Sequence, residues 1–203
     1  MVDQVCLKLA GLGGGAKVEQ IGQIIDQHLG ESVLDGKAAM SVLSKMGTDR
    51  STAHIVTVLD CLRQRGLEQN AYLACAALDA CTSSCSWGAA LVVLETMIAK
   101  CGESSYSMYH KAMVACSKAG EWKAAMGLLE KMATKRVESN TITYSVVVSA
   151  CEKEAQWVKA MWLMTEMFAN RVQLSTITYS SALSACAKAG VWVQALGLLE
   201  VPD

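Results

Sequence analysis

Three lysines, Lys118, Lys153 and Lys188, stand 35 residues apart in a chain of 203 residues. Carried by a repeated element, cations at that interval line up as a basic rail, which suits the phosphates of an extended polyanion. A second reading is structural: a lysine in the last turn of a helix complements the helix dipole. The other residues capable of chemistry form weaker patterns. Cys75, Cys81, Cys85 and Cys101 lie 6, 4 and 16 residues apart, without the paired CxxC knuckles of common zinc sites. His28, His54 and His110 belong to no HExxH motif and have no cysteine partner at a recognisable spacing. Gly11-Leu12-Gly13-Gly14-Gly15 is followed by no Gly-Lys-Ser/Thr, so it reads as a flexible linker rather than a phosphate loop. The expectation is a protein that is not an enzyme, with no catalytic residue, metal, cofactor or small-molecule substrate.

The 35-residue interval extends well beyond lysine. Four of the five tryptophans keep it, at Trp87, Trp122, Trp157 and Trp192. So do Cys81, Cys116, Cys151 and Cys186, and Ala90, Ala125, Ala160 and Ala195. Tyr109, Tyr144 and Tyr179 follow, with Met97, Met132 and Met167. A single globular fold has no reason to space its bulkiest residues evenly. A chain of stacked copies of one supersecondary element does, because each copy places the same residue against its neighbour.

The clearest copy runs from Thr141 to Ser175. Tyr144, Val147, Val148 and Cys151 stand at i, i+3, i+4 and i+7, one apolar stripe on a helix. In the second half, Trp157, Ala160, Met161, Met164 and Phe168 are expected on one face of a second helix, with Leu163 and Met167 beside it. Between the halves lie short turns, Ala119-Gly120-Glu121, Glu154-Ala155-Gln156 and Ala189-Gly190-Val191, where glycine suits a left-handed helix cap. Asn140 and Ser175 supply polar residues for the next helix start. The tryptophans are expected to pack between hairpins. This register sets full copies at 71–105, 106–140 and 141–175, and a truncated copy at 176–203. A degenerate copy is expected at 36–70, and an N-terminal cap or decayed copy at 1–35, with an amphipathic stretch from Val18 to Leu29. The stop at Asp203, inside a second helix, is the expectation of a fragment from a longer array.

Composition bounds partners only loosely. Formal net charge is -1, with 8 basic and 11 acidic residues in 1–105 and 10 basic and 8 acidic in 106–203. That is no basic nucleic-acid footprint. Nine cysteines without a secretory signal argue for free thiols in a reducing compartment. No apolar run approaches the roughly 18 residues of a membrane span, so no membrane partner is expected. The first residues, with Lys8, Asp3 and no arginine, make a poor organellar transit peptide.

A 35-residue helical hairpin reading TYSxxxSACxKxxxWxxAxxLxxEM resembles the pentatricopeptide repeat. The segments that carry the likeness are TITYSVVVSACEKEAQWVKAMWLMTEM (141–167), TITYSSALSACAKAGVWVQALGLLE (176–200) and MYHKAMVACSKAGEWKAAMGLLEKM (108–132). The tetratricopeptide repeat differs in period and in its tryptophan pattern. The resemblance implies an all-α fold, a right-handed α-solenoid of stacked helix-turn-helix hairpins. It implies single-stranded RNA as the partner, roughly one base per copy, in RNA processing, stability or editing in a mitochondrion or chloroplast. The implied base-reading positions are Cys75 with Ser105, His110 with Asn140, Ser145 with Ser175, and Ser180. Implied base-wedging positions are Ile142 and Ile177, with Ser107 and Tyr72 in the other copies, and the implied phosphate contacts are Lys118, Lys153 and Lys188. The reading pairs depart from the family's best-defined combinations and name no target sequence. A different reading of the same stacked hairpins is a scaffold whose concave face takes protein partners, which near-neutral charge suits.

Overall fold

Four corners of the chain are built alike. At Cys85, Gly120, Ala155 and Gly190 the backbone turns left-handed, with φ of 56°, 82°, 51° and 72°. In each, the N–H of the following residue (Ser86, Glu121, Gln156, Val191) reaches back to the carbonyl of Cys81, Cys116, Cys151 or Cys186 at 2.9–3.0 Å. This six-to-one closure is a Schellman motif, which satisfies a carbonyl the ending helix leaves open. The cysteine column therefore marks the last turn of one helix, and the tryptophan column opens the next.

The computed structural model describes residues 8, 20–21, 23–24, 36–48, 54–64, 71–101 and 105–199. The glycine-rich stretch, His28, most of Val18 to Leu29 and the segment after residue 199 lie outside the described residues. Among the described residues, ten helices are continuous: α1 (Gly36–Thr48), α2 (Ile55–Gln64), α3 (Ala71–Ser83), α4 (Trp87–Cys101), α5 (Tyr106–Ala119), α6 (Trp122–Thr134), α7 (Thr141–Lys153), α8 (Trp157–Ala169), α9 (Thr176–Lys188) and α10 (Trp192–Leu199). None is long and apolar enough to cross a membrane. The valines at 146–148, equally suited to a strand, lie in α7.

The chain divides into two compact units, Met1–Ala115 and Cys116–Asp203. In the first, α1 packs on α3, α2 on α4, and α3 on α4, so first helices meet first helices and second meet second. Its core holds Leu43, Met46, Leu59, Leu78, Leu94 and Met97, all buried. In the second, α7 packs on α8 and α9, and α9 on α10. Tyr144, Val147, Val148 and Cys151 are buried there as one stripe.

The second stripe needs correction. The buried residues of α8 are Ala160, Leu163, Met164 and Met167, spaced i, i+3, i+4 and i+7. Phe168 lies about 100° round the helix from Met167 and is 81% exposed. The tryptophans are only half-covered at 87, 122 and 157, and Trp192 is exposed. A second left-handed column, Arg136 and Arg171, ends α6 and α8. There Val137 and Val172 N–H groups donate to the Met132 and Met167 carbonyls at 2.9 and 2.8 Å.

Candidate functional site

The starts of α7 and α9 carry Asn140, Ile142, Ser145, Ser175, Ile177 and Ser180 of the expected site, and capping determines how they are held. Asn140 precedes α7, and its side-chain oxygen accepts from Thr143 N–H at 3.1 Å and from the Thr143 hydroxyl at 3.2 Å. Thr143 Oγ1 in turn accepts from the Asn140 N–H, closing a capping box. Ser175 repeats the role before α9, its Oγ accepting from Thr178 N–H at 3.2 Å. Both threonines are fully buried. The last residue of a copy is thus the N-cap of the next copy's first helix.

Ser145 and Ser175 are brought together, Oγ to Oγ at 3.1 Å. Thr178 Oγ1 completes a triangle, 2.8 Å from Ser145 and 2.9 Å from Ser175. Ser145, one of the implied base-reading positions, is buried. Ser180 is exposed and donates to the Ile177 carbonyl at 3.0 Å. Ile142 and Ile177 project into solvent, 57% and 63% exposed, as does Tyr72 of the first unit at 72%; Ser107 is exposed as well.

In the first unit, His110 is half-buried and stacks on Tyr106, ring centroids 5.7 Å apart and 11° from parallel. Burial, helped by the Lys111 charge, lowers its pKa below the ordinary histidine value. The His110 Nδ1 and the Ser105 Oγ are both buried without a hydrogen-bond partner. Cys75 is half-buried; burial raises its thiol pKa, against the opposing Lys111 charge.

The three lysines are exposed at the ends of α5, α7 and α9, and Lys153 and Lys188 hold protein groups. Lys153 donates to the Lys118 carbonyl at 2.7 Å. Lys188 pairs with Glu152 at 3.2 Å, and Glu152 also accepts from Ser184 at 2.8 Å. Burial pushes the Glu152 carboxyl up, but the bonds from Ser184, Lys188 and Ser181 outweigh it and hold it below its usual range.

Between α7 and α9 these contacts form a polar seam, with Ser149 and Ser181 as its middle rung at 3.0 Å. In the first unit the residues two copies earlier, Asp79 and Lys111, make the corresponding contact as an ion pair. Sequence reasoning misses this seam, and Thr143 and Thr178 with it. The 35-residue interval of the threonines is visible, but the partners across the seam, 32 to 36 residues away, are defined only by stacking. Among the described residues, no three His, Cys, Asp or Glu side chains converge as a metal site.

The family described as the pentacotripeptide-repeat region of PRORP matches residues 60–200. No curated protein matches the chain. Among solved structures, the pentatricopeptide repeat protein PPR10 from maize is similar at 17% identity and a TM-score of 0.61, covering 100% of this chain and 35% of that one. PPR10 in complex with an 18-nt psaJ RNA element is similar at 20% identity and a TM-score of 0.66, covering 96% of this chain and 29% of that one. The chain therefore spans about a third of the solved chains it matches. These likenesses show the fold, an α-solenoid built of stacked helical hairpins. With the family match spanning all four corners and both caps, the chain belongs to the pentatricopeptide repeat family.

Proposed function

We propose that this chain binds single-stranded RNA with base selectivity. The observation that carries the proposal is the exposure of Ile142 and Ile177, one copy apart, each in the first turn of a helix. Large aliphatic side chains held in water at a fixed interval have no packing role, and they suit the flat faces of successive bases. Cys75, Ser105, His110, Asn140, Ser145, Ser175 and Ser180 are then the base readers. The unpartnered Ser105 Oγ and His110 Nδ1 support this, since a buried polar atom left unpaired calls for a ligand or another explanation. Lys118, Lys153 and Lys188 are assigned to the phosphates. The PPR10 structure solved with RNA supports the same partner class. By family, the place of action is a mitochondrion or chloroplast, in RNA processing, stability or editing.

A gel-shift series against a randomised RNA pool at several salt concentrations tests the proposal. Replacing Lys118, Lys153 and Lys188 by glutamate should weaken retention and flatten its salt dependence, by about 0.7 in log–log slope for each phosphate no longer neutralised. Unchanged retention and slope would remove the lysines from the mechanism.

One feature favours a protein partner as a second reading. Where α6 presents Lys123, Gly127 and Ala133, the corresponding positions of α8 are Val158, Trp162 and Phe168, all exposed. An outward apolar helix face of this kind is a common protein-docking surface.

A further inference from the structure

Hydrogen bonding around the two caps limits what the reading positions can offer a base. Ser145 Oγ lies 2.7 Å from the Thr141 carbonyl oxygen, which can only accept, so the single Ser145 proton points there. Two hydroxyl protons remain, on Ser175 and Thr178, for the three contacts of the triangle. Ser175 has its nearest hydroxyl acceptor in Thr178 Oγ1 at 2.9 Å, ahead of Ser145 at 3.1 Å. Turning the Ser175 proton outward would leave two of the three contacts of the triangle without a proton, against one when it points inward. All three protons are therefore held inside the protein, and half-buried Ser175 has only lone-pair capacity left for a ligand. At the neighbouring cap, Thr143 draws the Asn140 oxygen inward with two donors, its N–H and its hydroxyl. The Asn140 amide thereby turns its nitrogen away from the cap.

Granted RNA binding at these positions, on which this step rests, we infer that Thr143 and Thr178 are positioning residues for base selectivity. Neither is accessible to RNA, since both are fully buried. Each sets the hydrogen-bond polarity of the reader before it: Ser175 accepts, and Asn140 donates. Removing the Thr178 hydroxyl takes away the nearer of the two acceptors that hold the Ser175 proton and leaves only the longer contact to Ser145 at 3.1 Å. The proton then turns outward at lower cost, and a hydroxyl that both gives and takes a proton suits the edge of any base. The consequence is lost discrimination with binding retained.

The experiment compares the wild-type chain with Thr178→Val and Thr178→Ser, using fluorescence anisotropy on short A, C and U homopolymers, with a thermal melt of each variant. Homopolymers present the same base to Ser175 in every register. The wild type should rank the three RNAs, and Thr178→Val should compress that ranking by about fivefold, the order of one hydrogen bond. Thr178→Ser, which keeps the hydroxyl, should restore the wild-type ranking. An unchanged ranking in Thr178→Val overturns the inference while leaving RNA binding intact. So does equal weakening on all three RNAs with a lowered melting temperature, the mark of a structural role alone. A wild type that holds all three RNAs equally overturns it too, whereas one that holds none overturns the RNA proposal itself.

Discussion

Lys153 donates its ammonium to the backbone carbonyl of Lys118, one full copy earlier, at 2.7 Å. The acceptor is a last-turn carbonyl of α5, where a helix end takes partners from outside. A cation at this place also meets the negative end of the helix dipole. The two roles open to the lysine column thus meet in one side chain, which has two further protons for a phosphate. Lys153→Met should cost about 0.5 kcal/mol, in the range of an exposed charged contact. Urea denaturation of the two proteins checks this, and a loss of several kcal/mol would mean that the contact matters more than its exposure allows.

The corner at Ala155 carries strain that glycine would relieve. A non-glycine residue in the left-handed region costs about 1 kcal/mol, partly offset by the greater freedom glycine has when unfolded. Ala155→Gly should therefore stabilise the chain by some tenths of a kcal/mol to about 1 kcal/mol. Gly120→Ala should act in the opposite sense: its φ is +82°, and a Cβ would lie 3.2 Å from Glu154 Oε1. Melting curves of both variants test the pair; a lower midpoint for Ala155→Gly would contradict it.

Alkaline pH should unfold the protein through its buried thiols. Burial raises Cys81 to about 12 and Cys116 and Cys151 each to about 11, above the 9.0 of an unburied thiol. From about pH 9 to 11 the unfolded chain releases these protons while the folded chain keeps them. The folded state then binds more protons, so stability falls as pH rises through that window. Replacing Cys151 by alanine should flatten the fall. At about pH 8, an alkylating reagent should modify exposed Cys85 well before buried Cys81, Cys116 or Cys151, which peptide mass spectrometry can follow.

Acid should destabilise the first unit through His110. Its folded pKa lies below 6.5, so the unfolded chain takes up the proton first as pH falls through that value. The stability that neutral His110 contributes is present above pH 6.5 and is lost below it. A histidine NMR titration should place the His110 midpoint below that of a free imidazole, and a midpoint above 6.5 would contradict the burial of the ring.

The apolar face of α8 should matter to association and not to folding. Trp162→Lys together with Phe168→Ser should change stability by less than about 0.5 kcal/mol, as expected of exposed sites. If the face docks a partner protein, the double variant should also lose that partner in a pull-down while its RNA retention stays unchanged.

Much of the scaffold is legible in the sequence because its determinants are local. The tryptophan interval marks where second helices begin, and the cysteine interval marks where first helices end. Glycine at 120 and 190 signals the corners, and the same backbone at Cys85 and Ala155 follows from the register. Phe168 is misplaced by periodicity because α8 is apolar nearly all round, so spacing alone does not distinguish its inner face from its outer one. The site is legible only as positions. That Ser145 is buried against Thr178 and that Glu152 holds Ser184 and Lys188 depend on contacts 32 to 36 residues apart. No pattern within one helix encodes such a contact.

The repeated corner also bears on how the chain reaches its fold. Each Schellman closure joins residues five apart, with partners drawn from the same short segment. Such a motif can form before any neighbouring hairpin exists, at low contact order and with little loop-closure entropy. Any copy can then serve as the starting point from which order spreads in both directions. A defect in one corner should slow growth past that point without silencing the others, giving several parallel routes rather than one obligatory nucleus.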